Sequence, residues 1–301
     1  MNQASTIERV AAGPSVGQRI QRVGRGLARF ARRQPLGTFG LAICVLTIVI
    51  GVSAPWITPS NPNSGNPMDR LQGPTITHWL GTDQLGRDQW SRIAFGTRVS
   101  LYVAFFSIVI GTAAGYLLGV VGGYLGGKVD DTIQRLVDAF LAFPSILLAL
   151  ALVSVLGAGL DKVIFAISIT LAPRAARVAR GVVLSVKENV YIDAARVIGA
   201  SQIRIMLRHI LPNAMAPFLI LASLALGGAI LTEASLSFLG LGVPPPHPSW
   251  GRMLSGAAQQ FALLAPWLMI FPGAAIMLVV LGFNLFGDAL RDIWDPKLRG
   301  R

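Results

Sequence analysis

The chain has 301 residues, of which 53% are hydrophobic and only 13% charged, and its mean hydropathy is +0.60. A soluble domain carries about 25% charged residues, so this composition excludes an ordinary soluble globule and a disordered chain, and the single cysteine, Cys44, excludes a disulfide scaffold. The 26 Lys and Arg residues against 14 Asp and Glu give a formal net charge of +12, which suits either a nucleic-acid partner or a membrane.

The charged residues are bunched along the chain, and the gaps between them are long enough to cross a membrane. A spanning helix needs about 20 mostly apolar residues. Five gaps of this kind predict spans near residues 37–57, 99–122, 136–158, 211–233 and 266–287. The sequence therefore predicts an all-α polytopic membrane protein. Its predicted parts are a basic lead over 1–36, a first transmembrane helix over 37–57, an external loop over 58–98, a transmembrane core over 99–290 and a tail over 291–301.

A sixth span is predicted over residues 163–180, although only 11 residues separate Lys162 from Arg174. Arg174, Arg177 and Arg180 stand three positions apart and therefore share one helix face. From that face they can reach toward the lipid headgroups or the cytosol, so the helix can continue past them.

The basic residues orient these spans. With six spans, residues 1–36, 124–135, 174–208 and 288–301 lie on one side and hold 20 of the 26 Lys and Arg residues. Cytoplasmic segments of membrane proteins are enriched in Lys and Arg. The sequence therefore predicts six transmembrane helices with both termini in the cytoplasm. Because topology and membrane lipid account for the charge positions, no nucleic-acid partner is expected.

Two glycine patterns follow the first loop. Gly111, Gly115 and Gly119 recur every four residues, which clears one helix face and predicts close packing against a neighbouring helix. Gly122–Lys128 matches the beginning of a phosphate-binding P-loop, but Val129 stands where that motif needs a hydroxyl, and a helix precedes it instead of a buried strand. We interpret it as a glycine-rich cytoplasmic turn, so this chain is not expected to bind ATP.

Ionisable residues at the ends of predicted spans are candidates for a translocation pathway or gate. Arg135 and Asp138 begin the third span three positions apart and can pair across one helical turn, and Pro144 can kink that span. Glu233 closes the fifth span. A charge in lipid is costly, so these residues are functional candidates. The alternative interpretation is that they anchor helix ends at the membrane interface.

The sequence contains no recognisable catalytic or metal-binding constellation. His78, His209 and His247 lie far apart without a cluster of carboxylates or thiols, and Cys44 lies within a span as a packing residue. The chain is therefore expected to be neither an enzyme nor a cofactor-binding protein. A membrane-embedded enzyme would need a catalytic cluster, and a channel acting alone would leave the segment over 188–212 without a purpose.

The most distinctive segment runs from Glu188 to Pro212. It predicts a short helix with a small-residue face at Ala194 and Ala195, a break at Gly199, and a second short helix before the next span. A compact knob of this kind between two spans suits mechanical coupling to a partner protein.

This segment resembles the cytoplasmic loop of the permease subunits of binding-protein-dependent ABC importers. That loop reads Glu-Ala-Ala, three residues, Gly, nine residues, Ile, one residue and Leu-Pro. The matching positions here are Asp193, Ala194, Ala195, Gly199, His209, Leu211 and Pro212. Two positions depart from the pattern, because Asp193 replaces the Glu with a shorter side chain and His209 replaces the Ile.

Further motifs resemble the dipeptide and oligopeptide permeases, namely Leu80–Asp88, Glu233–Gly251 and Phe283–Pro296. The resemblance implies a bacterial plasma-membrane protein that pairs with a second, related permease subunit. It also implies an external solute-binding protein and two cytoplasmic ATPase subunits, which bind ATP and Mg and hold the coupling loop at 181–212. The implied cargo is a di- or oligopeptide. The same kind of permease for a nickel chelate, glutathione or an opine-like compound remains an alternative.

Overall fold

A computed structural model describes residues 30–255 and 257–294, and most of this part of the chain is helical. The basic lead over 1–29 and the tail over 295–301 lie outside the described residues. The helices are α1 (Pro35–Ile57), α2 (Gln89–Leu125), α3 (Gly127–Leu141), α4 (Ser145–Leu156), α5 (Leu160–Lys187), α6 (Val190–Val197), α7 (Gln202–Ile205), α8 (Leu211–Phe238), α9 (Trp250–Leu254), α10 (Ala257–Gln260) and α11 (Trp267–Trp294).

Four helical stretches are long and apolar enough to cross a membrane, and they cover residues 35–57, 89–125, 202–238 and 267–293. The bent pair of α3 and α4 adds a fifth when it is counted as one span. The prediction of an all-α polytopic membrane protein is therefore confirmed. The fifth helix, α5, is not among these stretches, because Arg174, Arg177 and Arg180 interrupt its apolar sequence.

The helix α2 begins at Gln89, well before the predicted start of its span near residue 99. Asp88 caps it, since its Oδ2 accepts hydrogen bonds from the Ser91 backbone nitrogen at 2.8 Å and from the Ser91 hydroxyl at 2.7 Å. A carboxylate at this position satisfies a free N–H group and faces the positive end of the helix dipole. The end of the predicted external loop is therefore helical.

The region of the span predicted over 136–158 consists of two helices, α3 and α4, whose axes meet at 90° across residues 142–144. Pro144 has no N–H to continue the helix, and its ring disfavours helical geometry at Phe143. Its carbonyl oxygen accepts the Leu148 N–H at 3.0 Å and so begins α4. The proline expected to kink the span therefore marks a right-angled break.

The glycine stripe of α2 packs against α5, as the spacing predicted. A Cβ atom built on Gly115 would lie 2.0 Å from the Ala172 carbonyl oxygen, so only glycine allows this approach. The paired positions are Gly111 with Ser168, Gly115 with Ala172 and Gly119 with Ala176. The residue numbers on α2 and on α5 increase in the same direction along this contact, so the two helices run parallel.

Contacts of α2 with α8 give the opposite direction. The Ser100 hydroxyl donates to Glu233 Oε2 at 2.7 Å, and the Tyr116 hydroxyl donates to the Leu211 carbonyl oxygen at 3.0 Å. The residue number rises on α2 while it falls on α8, so these two helices are antiparallel. The α11 helix is in turn antiparallel to α8 and to α1, as shown by the approaches of Gly227 to Asn284, Gly287 to Leu224, Gly37 to Ala289 and Gly40 to Phe286.

These directions sort the helix ends onto two ends of the bundle. The segment that connects α5 to α8, residues 188–210, lies at one end, and we call this segment the connector. We call that end of the bundle the connector end. The start of α1 and the ends of α2, α5 and α11 share the connector end. The opposite end carries the loops over 58–88 and 239–266, and we name it the loop end. Both ends of the described chain therefore lie beside the connector.

The glycine-rich motif at Gly122–Lys128 is a turn between two helices, as interpreted from its sequence. Gly126 ends α2 with φ +70, and Gly127 begins α3 with φ +53. Positive φ values favour glycine because it has no Cβ atom. The motif therefore spans the end of α2 and the start of α3 and does not have the strand context of a phosphate cradle.

Candidate functional site

The connector has the local structure that its sequence predicts. The α6 helix ends near Gly199, which has φ +80 and no heavy atom within 4 Å of a built Cβ, so its left-handed backbone, and not close packing, requires glycine. Ser201 caps α7 by accepting the Arg204 N–H at 3.3 Å. A wide helical turn over Met206–Ile210 follows, and Pro212 lies in the first turn of α8.

The inner face of the connector is buried against its own chain. Ile192, Ala195, Ile205 and Ile210 are buried and join one apolar cluster. The residues of α2, α5 and α8 in that cluster are Tyr116, Val120, Tyr124, Ala179, Val183 and Ala214. The connector is therefore a packed substructure fixed to α2, α5 and α8.

The predicted small-residue face is split by this packing. Ala195 faces inward and is buried, whereas Ala194 is exposed. Consecutive helical residues point about 100° apart, so the two alanines do not share a surface. Of the small-residue face predicted at these two positions, only Ala195 is packed against another surface, and that surface belongs to its own chain.

The outer face of the connector exposes large apolar side chains. Val197 is 86% exposed, Ile198 and Val190 are each 83% exposed, and Ile203 and Leu207 are also mainly exposed. A cluster of exposed apolar side chains is typical of an interaction surface. We call these five residues the apolar patch.

The remaining predicted residues of the loop make contacts within the chain itself. Asp193 is exposed, and its Oδ1 accepts a hydrogen bond from Arg196 Nη1 at 2.8 Å within α6. His209 lies beside Tyr191 with ring centroids 6.1 Å apart, and its carbonyl oxygen accepts Asn213 Nδ2 at 2.6 Å. Leu211 holds the start of α8 against α2 through its bond from Tyr116.

Arg135 and Asp138 do not pair with each other. Asp138 pairs instead with Arg177 of α5, and Arg135 is exposed on α3. The expected pair within one helical turn is therefore replaced by a pair between two helices. The sequence offered no signal for this, because 39 positions separate the partners.

A second ion pair joins the same two helices and was not predicted. Arg180 donates to both carboxylate oxygens of Asp130, with N–O distances of 2.6–2.9 Å. The neighbouring Lys187 donates to the Gly123 and Tyr124 carbonyl oxygens at 3.2 and 2.9 Å and so caps the C-terminus of α2. Charged side chains therefore tie α2, α3 and α5 together at the connector end.

Glu233 is fully buried at the opposite half of the bundle. Its two carboxylate oxygens accept hydrogen bonds from the hydroxyls of Ser100 and Ser237, both at 2.7 Å. Ser237 also accepts the Val243 N–H at 3.3 Å, which links the carboxylate to the loop that follows α8. Glu233 therefore does not anchor a helix end at an interface, but joins α2, α8 and the following loop inside the protein.

The described residues contain no group of three or more His, Cys, Asp and Glu side chains that could hold a metal ion. The arrangement instead offers a packed helical bundle, a connector with an apolar outer face and buried polar links between helices.

Comparison with protein families gives two matches. Residues 111–300 match the family described as the inner membrane component of binding-protein-dependent transport systems. Residues 25–74 match the N-terminal transmembrane domain of oligopeptide transport permease C. The two matches are separated by residues 75–110 and together cover most of the chain.

Curated relatives extend over nearly the whole chain. The dipeptide transport system permease protein DppC of Alkalihalophilus pseudofirmus is 47% identical over 268 residues, which are 89% of this chain and 88% of that protein. The glutathione transport system permease protein GsiD of Pectobacterium atrosepticum is 44% identical over 272 residues, or 90% of each chain.

A solved structure shares the fold. It is the methionine ABC transporter MetNI in an inward-facing conformation, with a TM-score of 0.55 and 21% identity, over 67% of this chain and 95% of that one. At this identity the likeness concerns the fold alone. Together with the family matches and the close relatives, it leads to one conclusion. The chain belongs to the inner-membrane permeases of binding-protein-dependent ABC importers, in the group of the dipeptide and oligopeptide C permeases, whose members are multi-pass transport subunits without ATPase activity.

Proposed function

We propose that this chain pairs with a second, related permease subunit to form the translocation pathway of an ATP-driven importer for di- and oligopeptides. Family membership implies ATPase and binding-protein partners. In this proposal two cytoplasmic ATPase subunits bind ATP and Mg and engage the connector, and an external binding protein delivers the solute. The chain itself converts movement of the connector into movement of its helices.

The proposed topology has six crossings with the connector end in the cytoplasm. Because α2 and α5 run parallel, the chain between them must return across the bundle, and the bent pair of α3 and α4 provides that crossing. At about 1.5 Å per residue, the 28 residues of α5 are long enough to span a hydrocarbon core of about 30 Å. The connector end also holds most of the basic residues, which favours the cytoplasmic side.

The apolar patch is the observation that carries the proposed coupling. Five large apolar side chains on an otherwise packed substructure remain without cover in the described chain. Covering them with a partner protein would remove apolar area from water, a gain of roughly 25 cal/mol per Å² before association costs. The rigid packing of Ile192 and Ala195 against the membrane helices would then transmit a push on the patch to α5 and α8.

The proposed role of the Asp193–Pro212 positions is to shape this surface. Gly199 provides the sharp turn between α6 and α7, and Pro212 begins α8 directly behind the connector. Arg135, Asp138 and Pro144 belong to the bent pair and its link to α5, which we propose as a moving part of the pathway.

The cargo is proposed from the relatives. A dipeptide permease and a glutathione permease are similar to this chain at 47% and 44% identity, which favours peptides but leaves glutathione as the second candidate. The test is uptake by the complete importer in proteoliposomes, with labelled dipeptides and labelled glutathione offered in competition. Faster uptake of glutathione, a nickel chelate or an opine-like compound would replace the peptide assignment.

The coupling is tested by Ile198→Asp, which places a charge in the apolar patch without disturbing the buried face. We expect loss of ATP-driven uptake and of co-purification with the ATPase subunits, while the amount of protein in the membrane is unchanged. Ile76→Asp is the matched control, since Ile76 is 94% exposed at the loop end. If Ile198→Asp retained both ATPase binding and uptake, the connector would not be the coupling element.

A further inference from the structure

Five arginines lie at the loop end, whereas most Lys and Arg residues of the chain lie at the connector end. The proposed topology places them outside the cytoplasm, where Lys and Arg are normally depleted. They are Arg70, Arg87, Arg92, Arg98 and Arg252. The topology does not explain why these arginines lie at the loop end, so we looked for an explanation in their local surroundings.

Three of these arginines line one cavity. It has a volume of about 270 Å³ and lies between the start of α2, the loop before it, and the region of α9. Arg87, Arg92 and Arg252 border it, and Asp83 is the only carboxylate among its lining residues. The cavity walls therefore carry an excess of two positive charges.

The Asp83 carboxylate is already fully engaged. Its Oδ2 accepts Arg87 Nε at 2.7 Å and lies 3.5 Å from Arg92 Nε. Its Oδ1 accepts the backbone N–H groups of Leu85 and Arg87 at 2.8 and 3.0 Å. One carboxylate thus serves two guanidinium groups, and Arg92 is only 5% exposed, so water does little to screen its charge.

Arg252 has no acidic partner at all among the described residues. The pKa of its guanidinium is lowered by burial, and no carboxylate counters that shift. Its neighbours in the cavity wall include the neutral Gln89 and Ser255. A half-buried, unpaired guanidinium beside the shared pair is therefore free to bind an anion.

We infer that this cavity binds the free carboxylate of the transported solute as it leaves the binding protein. The inference rests on the proposed function, which makes the loop end external. A guanidinium fork matches a carboxylate with two parallel hydrogen bonds. Arg87 and Arg92 are partly engaged, since both face Asp83 and Arg92 Nη1 donates to the Pro62 carbonyl oxygen at 3.0 Å, so Arg252 is the main ligand for the anion. The site is a cleft with Gln89 and Arg92 almost completely buried in its wall, which fits a small entering group better than a flat protein surface.

The chemistry narrows the solute class. Dipeptides, oligopeptides and glutathione all end in a free carboxylate, whereas an amidated peptide does not. The cavity is close to the lower limit of about 300 Å³ for ligand pockets, so it takes the carboxyl end of the solute and not a whole oligopeptide. It therefore acts as a subsite that orients the solute at the entrance.

The test measures the thermal unfolding midpoint of the purified complete importer in detergent, followed by tryptophan fluorescence. At constant ionic strength, we expect alanyl-alanine to raise the Tm and alanyl-alaninamide to leave it unchanged. Arg252→Gln should lose most of this rise, and Arg252→Lys should keep part of it. Arg98→Gln is the matched control, because Arg98 is an exposed arginine of the same face that does not line this cavity, and it should behave as the wild type.

An equal rise with the amide, or a full rise in Arg252→Gln, would overturn the inference. A second measurement tells whether the bound carboxylate belongs to the solute or to an acidic side chain of the binding protein. It determines the concentration of binding protein that gives half-maximal stimulation of the ATPase activity. If Arg252→Gln raised that concentration severalfold with empty and loaded binding protein alike while the dipeptide still raised the Tm fully, the carboxylate would come from the binding protein. Because the Tm readout needs no transport, failure of peptide uptake alone would contradict the proposed function and not this subsite.

Discussion

At the scale of single residues, buried polar groups connect helices that the sequence does not show to be neighbours. Glu233 could be singled out from the sequence as an acid at the end of an apolar run, and Ser237 lies one helical turn away. Ser100, on a helix 133 positions earlier, could not be assigned to it. Such pairing depends on the tertiary arrangement, because any of several serines in apolar helices could have faced the carboxylate.

Glu233→Leu should destabilise the protein. It leaves the hydroxyls of Ser100 and Ser237 without their shared acceptor in a buried site, and an unpaired buried polar group costs about 1–3 kcal/mol. The measurement is the unfolding midpoint of the purified protein in detergent. Ser235→Ala on the same helix is the control, since Ser235 is exposed and its hydroxyl bonds only to the Leu231 carbonyl oxygen of its own helix. Equal midpoints for the two variants would show that the carboxylate does not hold α2 to α8.

At the scale of helices, small residues decide which elements can approach. The spacing of Gly111, Gly115 and Gly119 predicted a packing face on α2, and that prediction is confirmed. The partner helix and the parallel direction were not predictable from the stripe, because a glycine face accepts any helix with a fitting surface. A kink at Pro144 was predicted but its right angle was not, because the apolar sequence continues across the break and hydropathy carries no information about helix direction.

Gly115→Ala should weaken the contact between α2 and α5. The new Cβ atom would lie 2.0 Å from a backbone oxygen, so one helix must move, and overpacking of this kind costs about 1–3 kcal/mol. Gly228→Ala is the matched control, because a Cβ atom there meets nothing within 4 Å and the change favours helix formation. Urea or thermal unfolding in detergent should therefore rank Gly228→Ala at or above the wild type and Gly115→Ala below it. The reverse order would contradict the close packing.

At the scale of the whole molecule, helix direction adds what hydropathy could not supply. Hydropathy finds four spans and a bent pair, and it leaves α5 out because of its arginines. The parallel packing of α2 and α5 gives α5 the same direction as a helix that does qualify, and its 28 residues are long enough to cross a hydrocarbon core of about 30 Å. The connector shows the limit of the sequence in another way, since its two helices and its glycine turn were predictable but the inward direction of Ala195 depends on the cluster around Val183.

The six-span topology predicts which side of the membrane each loop reaches, and the chain offers a simple way to measure it. Cys44 is the only cysteine and is buried, so Cys44→Ala provides a background without thiols. In this background, Ile76→Cys and Asp161→Cys should react with a membrane-impermeant maleimide in intact spheroplasts, whereas Ile198→Cys should react only after permeabilisation. Labelling at residue 161 shows whether α3 and α4 together cross the membrane, because Asp161 directly follows this bent pair. If α3 and α4 entered the membrane and returned to the same side, Asp161→Cys would be labelled only with Ile198→Cys, and the chain would cross the membrane fewer than six times.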